Sequence, residues 1–339
     1  MSIKFKFFAC FLCALGLSVL ISCSSQTANN SSSPAPTTNS SATNSSMGQM
    51  SHSGRKININ SAILSELDKL EAKLGIPALS NKIQGSRPYG KTEELVSKNV
   101  VNQQQFDQIK EMVTIEDIKL EGEAKDIDYM TKLGLMKGHL YVAKELLDLQ
   151  KPDQAEPHIG HPVEEIYADV EEQLNERKVP AFKDPLVALQ DEVKAGAKNA
   201  EKVSTGYKTS MQSVETAIAA LPEAQRQSPS FVLQVINGLL DTANSEYGAA
   251  IADNKISQVI EYQDSRGFIL YANELYKSIS ATMLKSQPEA HKMIETKMAE
   301  LTKTWATVTP PATLVKTSDQ VSTLIKDIES STQKVAKAS

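Results

Sequence analysis

Apolar and polar residues alternate with a helical period along most of the chain. Leu64, Leu67, Leu70 and Leu74 lie three or four residues apart, which places them on one side of a helix. The same spacing recurs after residue 123, and no strong strand pattern appears. We therefore expect an all-α fold, with bundle helices near 123–150, 153–177, 184–221, 229–252, 256–285, 287–307 and 313–335.

The connections between these helices are short and marked by proline. Proline near a helix start costs little, because its missing N–H would lack a partner there anyway. Short connections favour antiparallel neighbours. We therefore expect antiparallel bundles over 123–337, one at about 123–221 and one at about 228–337.

The two predicted bundles share a sequence repeat. Gly138, Ala143, Glu145 and Leu146 recur 129 residues later as Gly267, Ala272, Glu274 and Leu275. After a four-residue slip, His158 recurs as His291. The pattern indicates a tandem duplication. The motif HxxHPxE, which begins at His158, is complete only in the first copy.

The first 22 residues have the composition of an export signal, with a basic start and an apolar run over 7–21. The following Leu20-Ile21-Ser22-Cys23 resembles the lipobox of bacterial lipoproteins, which implies cleavage before Cys23 and lipidation of its thiol. An uncleaved signal anchor is the alternative. Either version predicts a chain held at a membrane of the bacterial cell envelope, facing the periplasm or the cell surface.

Composition predicts a tether after the signal and excludes thiol chemistry and general polyanion binding. Residues 23–54 carry no charge and are rich in Ser, Thr and Asn, which predicts a disordered tether. All three cysteines lie at or before Cys23, so the processed chain has no disulfide and no thiol nucleophile. Loss of the two signal lysines takes the net charge from −5 to −7. An acidic chain is not a general polyanion binder, so a nucleic-acid role needs a local patch.

Residues 55–117 carry short motifs in a recognisable order. They are Ile57-Asn58-Ile59-Asn60-Ser61-Ala62, Gly75-Ile76-Pro77, Pro88-Tyr89 and Glu93-Glu94-Leu95. This order resembles the double helix-hairpin-helix domain of ComEA-like competence DNA receptors and of the PsbU-type extrinsic protein of photosystem II. The resemblance implies sequence-independent binding of duplex DNA, through hairpin amides and nearby cations that contact phosphates. The candidate residues are Gly75, Ile76, Lys82, Arg87, Lys91 and Lys98.

Two features of this segment depart from that family. Pro77 has no N–H where the family usually has a second glycine, and the second hairpin at 98–102 has no glycine. The segment is also neutral, with nine basic and nine acidic residues over 55–117. Two alternatives to DNA binding therefore remain. The segment could be a protein-docking or purely structural module, or the chain could be an extrinsic or assembly subunit of a membrane complex.

A histidine-rich turn is a candidate metal site. His158, His161 and Glu165 lie at i, i+3 and i+7, and Glu164 lies three residues after His161. His139, on the preceding predicted helix, would face them across a proline-marked turn. Imidazole and carboxylate ligands suit an Fe, Cu or Zn ion in a bundle core. The alternative is that the histidines only line the turn and both glutamates are solvated.

His161-Pro162-Val163-Glu164 is also similar to the HxxE element of imelysin-like helical proteins of iron uptake, and 262–267 is a candidate second element. That resemblance implies a periplasmic protein that binds iron or copper. The motifs HExxH and GxSxG are missing, so we expect no enzymatic activity. The sequence thus predicts a non-enzymatic envelope lipoprotein that binds DNA, with metal binding or a role in a membrane complex as alternatives.

Overall fold

A computed structural model describes residues 56–117 and 119–338. The predicted signal peptide at 1–22, the lipidated Cys23 and the tether at 23–54 lie outside the described residues. The rest is mainly helical with almost no strand, which confirms the all-α prediction. Within the described part, no helix combines the length and the apolar character needed to cross a membrane.

Residues 56–117, named here the amino-terminal module, have a small core of their own. Its first strand, β1, pairs in parallel with its last, β2, through Ile57 and Val113. The fully buried Leu67, Leu79 and Leu95 come from three different helices and fill the space between them. The elements are β1 (Ile57–Asn58), α1 (Leu64–Leu74), α2 (Leu79–Gly85), α3 (Glu94–Ser97), α4 (Gln103–Ile109) and β2 (Val113–Thr114).

The second region contains the predicted bundle helices. The helix predicted at 184–221 is divided near Gly196, which has a φ of +89°. The elements are α5 (Gly122–Asp148), α6 (Pro152–Ala155), α7 (Pro157–His161), a π-helical segment (Pro162–Ile166), α8 (Tyr167–Glu176), α9 (Lys183–Lys194), α10 (Ala200–Ala219), α11 (Glu223–Arg226), α12 (Pro229–Ala249), α13 (Val259–Ser286), α14 (Pro288–Leu301), a 3₁₀ turn (Thr302–Trp305) and α15 (Ser318–Ala338). A hairpin of β3 (Ile251–Ala252) and β4 (Lys255–Ile256) joins α12 to α13.

One continuous apolar core runs through both copies of the repeat. Helices α5, α12 and α13 pack on one another at its centre. Large side chains from both copies, including Tyr129 and Trp305, are buried in it. The two copies therefore share one interior.

Helices α5 and α13 cross at two glycines that are equivalent in the repeat. A Cβ on Gly267 would lie 2.2 Å from the carbonyl oxygen of Gly138, and a Cβ on Gly138 would lie 2.9 Å from the carbonyl carbon of Gly267. Only glycine at both positions permits this approach of the two backbones. The crossing brings together the neighbouring His139 of α5 and Asp264 of α13.

The amino-terminal module packs against the bundle through α1. Helix α1 lies along α12, where Lys69 forms an ion pair with Asp241. The Leu64 N–H, at the start of α1, donates to the Glu165 carboxylate at 3.1 Å. Because Glu165 lies close to the histidine-rich turn, the module is docked beside the candidate metal site.

Candidate metal centre

Three histidines surround the carboxylate of Asp264. Asp264 Oδ1 lies 2.7 Å from His139 Nδ1 and 2.6 Å from His158 Nδ1, and Oδ2 lies 3.3 Å from His161 Nδ1. The candidate ligand atoms of His139, His158 and Asp264 all lie within 4.8 Å of one another. We name His139, His158, His161 and Asp264 the His–Asp centre.

Three helices position these side chains. His139 comes from α5, His158 and His161 come from α7, and Asp264 comes from α13. Pro162 cannot donate a backbone hydrogen bond, and the chain continues past it as a π-helical turn rather than ending. Both α7 histidines therefore keep the i, i+3 relation that the sequence predicted, and both face Asp264.

His139 carries the strongest sign of a ligand. Its side chain is fully buried, and neither ring nitrogen has a hydrogen-bond partner within the described residues. Its close approach to Asp264 does not have hydrogen-bond geometry. A buried polar group without a partner costs about 1–3 kcal/mol. A metal ion bound to an imidazole nitrogen would remove that cost, so the residues present fit a metal.

The charges in the centre suit a cation. Burial opposes ionisation of Asp264, but the imidazoles of His139 and His158 outweigh it and hold the Asp264 pKa well below its usual range. Burial lowers the pKa of His139, against the attraction of Asp264. At His161, burial is outweighed by the hydrogen bond and the charge of Asp264, which raise the pKa to about 9. The centre therefore combines an ionised carboxylate with a His139 imidazole whose lowered pKa favours the neutral ring, both forms that bind metals, whereas His161 keeps its proton at neutral pH.

Further carboxyl groups lie next to the centre. Burial raises the pKa of Asp68 on α1 to about 7, although a hydrogen bond from Ser80 opposes it. Burial and the charge of Asp68 raise the pKa of Glu246 on α12 well above its usual range. Burial also raises the pKa of Glu261 on α13. Asp68 and Glu261 both interact electrostatically with His161, so the module contributes to the charge around the centre.

The two glutamates predicted as ligands lie outside the cluster of ligand atoms. Glu164 is largely exposed and accepts a hydrogen bond from Gln190 Nε2 at 3.1 Å. Glu165 accepts the Leu64 N–H instead. Asp264 lies in the candidate second element at 262–267, but the sequence did not single it out as a ligand. The available signal was the repeat, because Asp264 lies three residues before Gly267, and the equivalent Gly138 directly precedes His139.

In the first hairpin, which was predicted to bind phosphate, the backbone amides donate to the carboxylate of Glu71. Glu71 accepts the N–H of Ala78 at 2.9 Å and the N–H of Ser80 at 3.1 Å, at the start of α2. These are the amides that would bind an anion at such a helix start. The N–H of Gly75 donates to the Glu71 carbonyl oxygen at 2.7 Å and is also occupied.

Three of the candidate cations are likewise used inside the module. Lys82, Arg87 and Lys98 donate to backbone carbonyl oxygens of the module itself, whereas Lys91 is exposed. The acceptors are Val100 for Lys82, Ile59 and Ala62 for Arg87, and Ser86 and Pro88 for Lys98. These contacts hold three of the four candidate cations against their own module.

Comparison with known proteins points to iron. The family described as "Iron permease-associated 4-helix bundle domain" matches residues 222–339, less than half of the chain. The matched part runs from α11 to α15 and contains Asp264, whereas the three histidines of the centre precede it. No curated protein matches the chain. No solved structure matches it either.

This match corrects the family resemblances drawn from the sequence. It is a match to an iron permease-associated domain, and not to a helix-hairpin-helix or an imelysin-like domain, so both identifications were wrong. The predicted DNA binding was wrong with them, and the metal-binding alternative fits better. A family described as iron permease-associated is consistent with the predicted membrane-associated location in the cell envelope.

Proposed function

We propose that this protein binds an iron ion at the His–Asp centre and holds it for an iron permease of the same membrane. The observation that carries the proposal is His139, a fully buried imidazole without a hydrogen-bond partner among the described residues, beside the ionised Asp264 and the imidazole of His158. The iron is cargo in this proposal, and no reaction is assigned to the protein.

The donor set supports iron as the cargo. Two imidazoles and one carboxylate are a common ligand set for Fe(II) in proteins, and the predicted processed chain has no thiolate to favour softer ions. Imidazole also suits Zn and Cu, so the donor atoms alone leave three metals. The match to an iron permease-associated domain favours iron among them.

His161 marks the side from which the ion would enter. Its side chain is 28% exposed, whereas that of Asp264 is 3% exposed and those of His139 and His158 are fully buried. An ion from solvent would therefore meet His161 first and then pass to the buried ligands. The negative groups around His161 would attract a cation to this side, and the proton that His161 keeps at neutral pH would leave as the ion binds.

The amino end would keep the protein beside its partner. A lipidated Cys23 would hold the chain at the membrane. A disordered tether of about thirty residues would extend roughly 30 Å on average. The bundle would then stay near a permease in that membrane, in the periplasm or at the cell surface.

The proposal is tested by Fe(II) titration of the full processed chain without its acyl groups, under anaerobic conditions, with metal analysis after gel filtration. We expect one iron per chain, and loss of that iron in the double variant His139→Ala/His158→Ala. His291→Ala is the matched control, because His291 is the repeat equivalent of His158 but bonds to Tyr276 outside the centre. Absence of stoichiometric iron in the wild type, or its retention in the double variant, would refute the proposal.

A further inference from the structure

The amide of Gln263 has one possible orientation. Its side chain is buried on α13, with Nε2 3.2 Å from the carbonyl oxygen of Val308 and Oε1 2.8 Å from His158 Nε2. A carbonyl oxygen can only accept a hydrogen bond, so the amide NH₂ must face Val308. The Gln263 oxygen therefore faces the imidazole of His158.

This orientation decides which nitrogen of His158 carries the proton. The oxygen of Gln263 can only accept, so His158 Nε2 must donate and must carry a hydrogen. In the neutral ring, Nδ1 then has a free lone pair, and it lies 2.6 Å from Asp264 Oδ1. Two acceptors at that distance need a cation between them, which is a proton on Nδ1 or a metal ion that takes its place.

We propose that Gln263 is a positioning residue that holds His158 in the Nε2–H tautomer, so that Nδ1 binds the metal ion together with Asp264. This inference rests on the proposed function, because the ion is the iron proposed above. Histidine ligands of metals usually donate their other ring N–H to an oxygen, which fixes the ring and makes the ligand nitrogen more basic.

His158 and His139 differ in what fixes the orientation of their rings. His158 is held by Gln263, whereas neither nitrogen of His139 has a hydrogen-bond partner among the described residues. His139 is held by packing, with the ring of Phe268 edge-on at 5.0 Å. Gln263 is in turn held by Val308, so the segment after the 3₁₀ turn supports the orientation of His158.

The test compares two variants of the full processed chain. Gln263→Met removes the acceptor at similar volume, and Gln263→Glu keeps an acceptor for His158 Nε2–H. Gln173→Met is the control, since Gln173 is a buried glutamine that donates to Asp128 outside the centre. Long-range ¹H–¹⁵N NMR of the histidine rings in the iron-free protein reports the tautomer, and titration with Fe(II) reports the affinity.

We expect the wild type and Gln263→Glu to carry the His158 proton on Nε2, and Gln263→Met to lose that preference. We expect Gln263→Met to bind Fe(II) roughly 10–100-fold more weakly, and Gln173→Met to bind it about as tightly as the wild type. A Gln263→Met variant with unchanged affinity, or with weaker binding but an unchanged tautomer, overturns the positioning role. The proposed function would survive both results, because it fails only if the wild type binds no iron.

Discussion

Substitution of Gly267 by alanine tests whether the crossing of α5 and α13 builds the centre. The added Cβ would lie 2.2 Å from the Gly138 carbonyl oxygen and 3.0 Å from Val142 Cγ2. The first contact is with backbone, so no rotamer change relieves it. The two helices must separate by about 1 Å to restore ordinary van der Waals contact.

Two energies oppose each other in this variant. Overpacking of a core typically costs about 1–3 kcal/mol, and more where backbone is involved. Alanine in place of glycine inside a helix returns about 0.5–1 kcal/mol. We therefore expect a net loss of about 1–2 kcal/mol or more in the free energy of unfolding. Metal ligands tolerate errors of about 0.2 Å, so a 1 Å separation of His139 from Asp264 should also weaken iron binding at least roughly tenfold.

Urea unfolding followed by circular dichroism measures the stability, and Fe(II) titration measures the affinity. Gly85→Ala is the matched control, because an added Cβ at this glycine in α2 meets nothing within 4 Å. It should leave iron binding unchanged and keep or slightly raise the stability. A Gly267→Ala variant as stable as the wild type, with the same iron affinity, would refute the role of the crossing.

Three further predictions concern the module and the edge of the centre. Burial raises the pKa of Asp68 from 3.8 to about 7, so its contribution to stability is present below pH 3.8 and is lost as the pH rises through 7. The free energy of unfolding of Asp68→Asn, relative to that of the wild type, should therefore increase by up to about 4 kcal/mol between pH 4 and pH 8. A difference that does not change with pH in urea unfolding would contradict this. Glu71→Gln weakens the cap of α2 and should cost about 1–2 kcal/mol in the same assay, whereas an unchanged midpoint would refute the capping role. His161→Ala should slow iron uptake in stopped-flow more than it weakens equilibrium binding, whereas loss of all iron would make His161 an essential ligand.

The helices were predictable because their cause is local. Apolar spacing, helix-starting prolines and the flexible Gly196 act over a few residues, and the structure has helices close to the predicted spans. The glycine pair of the repeat was also visible in the sequence. Its consequence, the crossing of α5 and α13, depends on tertiary packing and was not.

The centre was only half predictable for the same reason. The three histidines stand out because histidine is rare in this chain, with five in all. Asp264 is one of 41 acidic residues, and the candidate element at 262–267 did not identify it as the carboxylate that meets the histidines. Only the crossing buries Asp264 among imidazoles.

The amino-terminal module shows how a local resemblance can mislead about function. A glycine turn before a helix start can present backbone amides to a phosphate. Whether the turn binds phosphate depends on free amides. Here Glu71, four residues before Gly75, supplies a carboxylate to those amides, and sequence motifs that describe only the turn do not register it.

Anomalous diffraction at the iron edge, from crystals of the processed protein grown with Fe(II), tests the His–Asp centre most directly. We predict one strong peak per chain within bonding distance of His158 Nδ1, a ring nitrogen of His139 and an oxygen of Asp264. No peak at this position, or iron bound only at surface carboxylates, would contradict the assignment of the centre as an iron site.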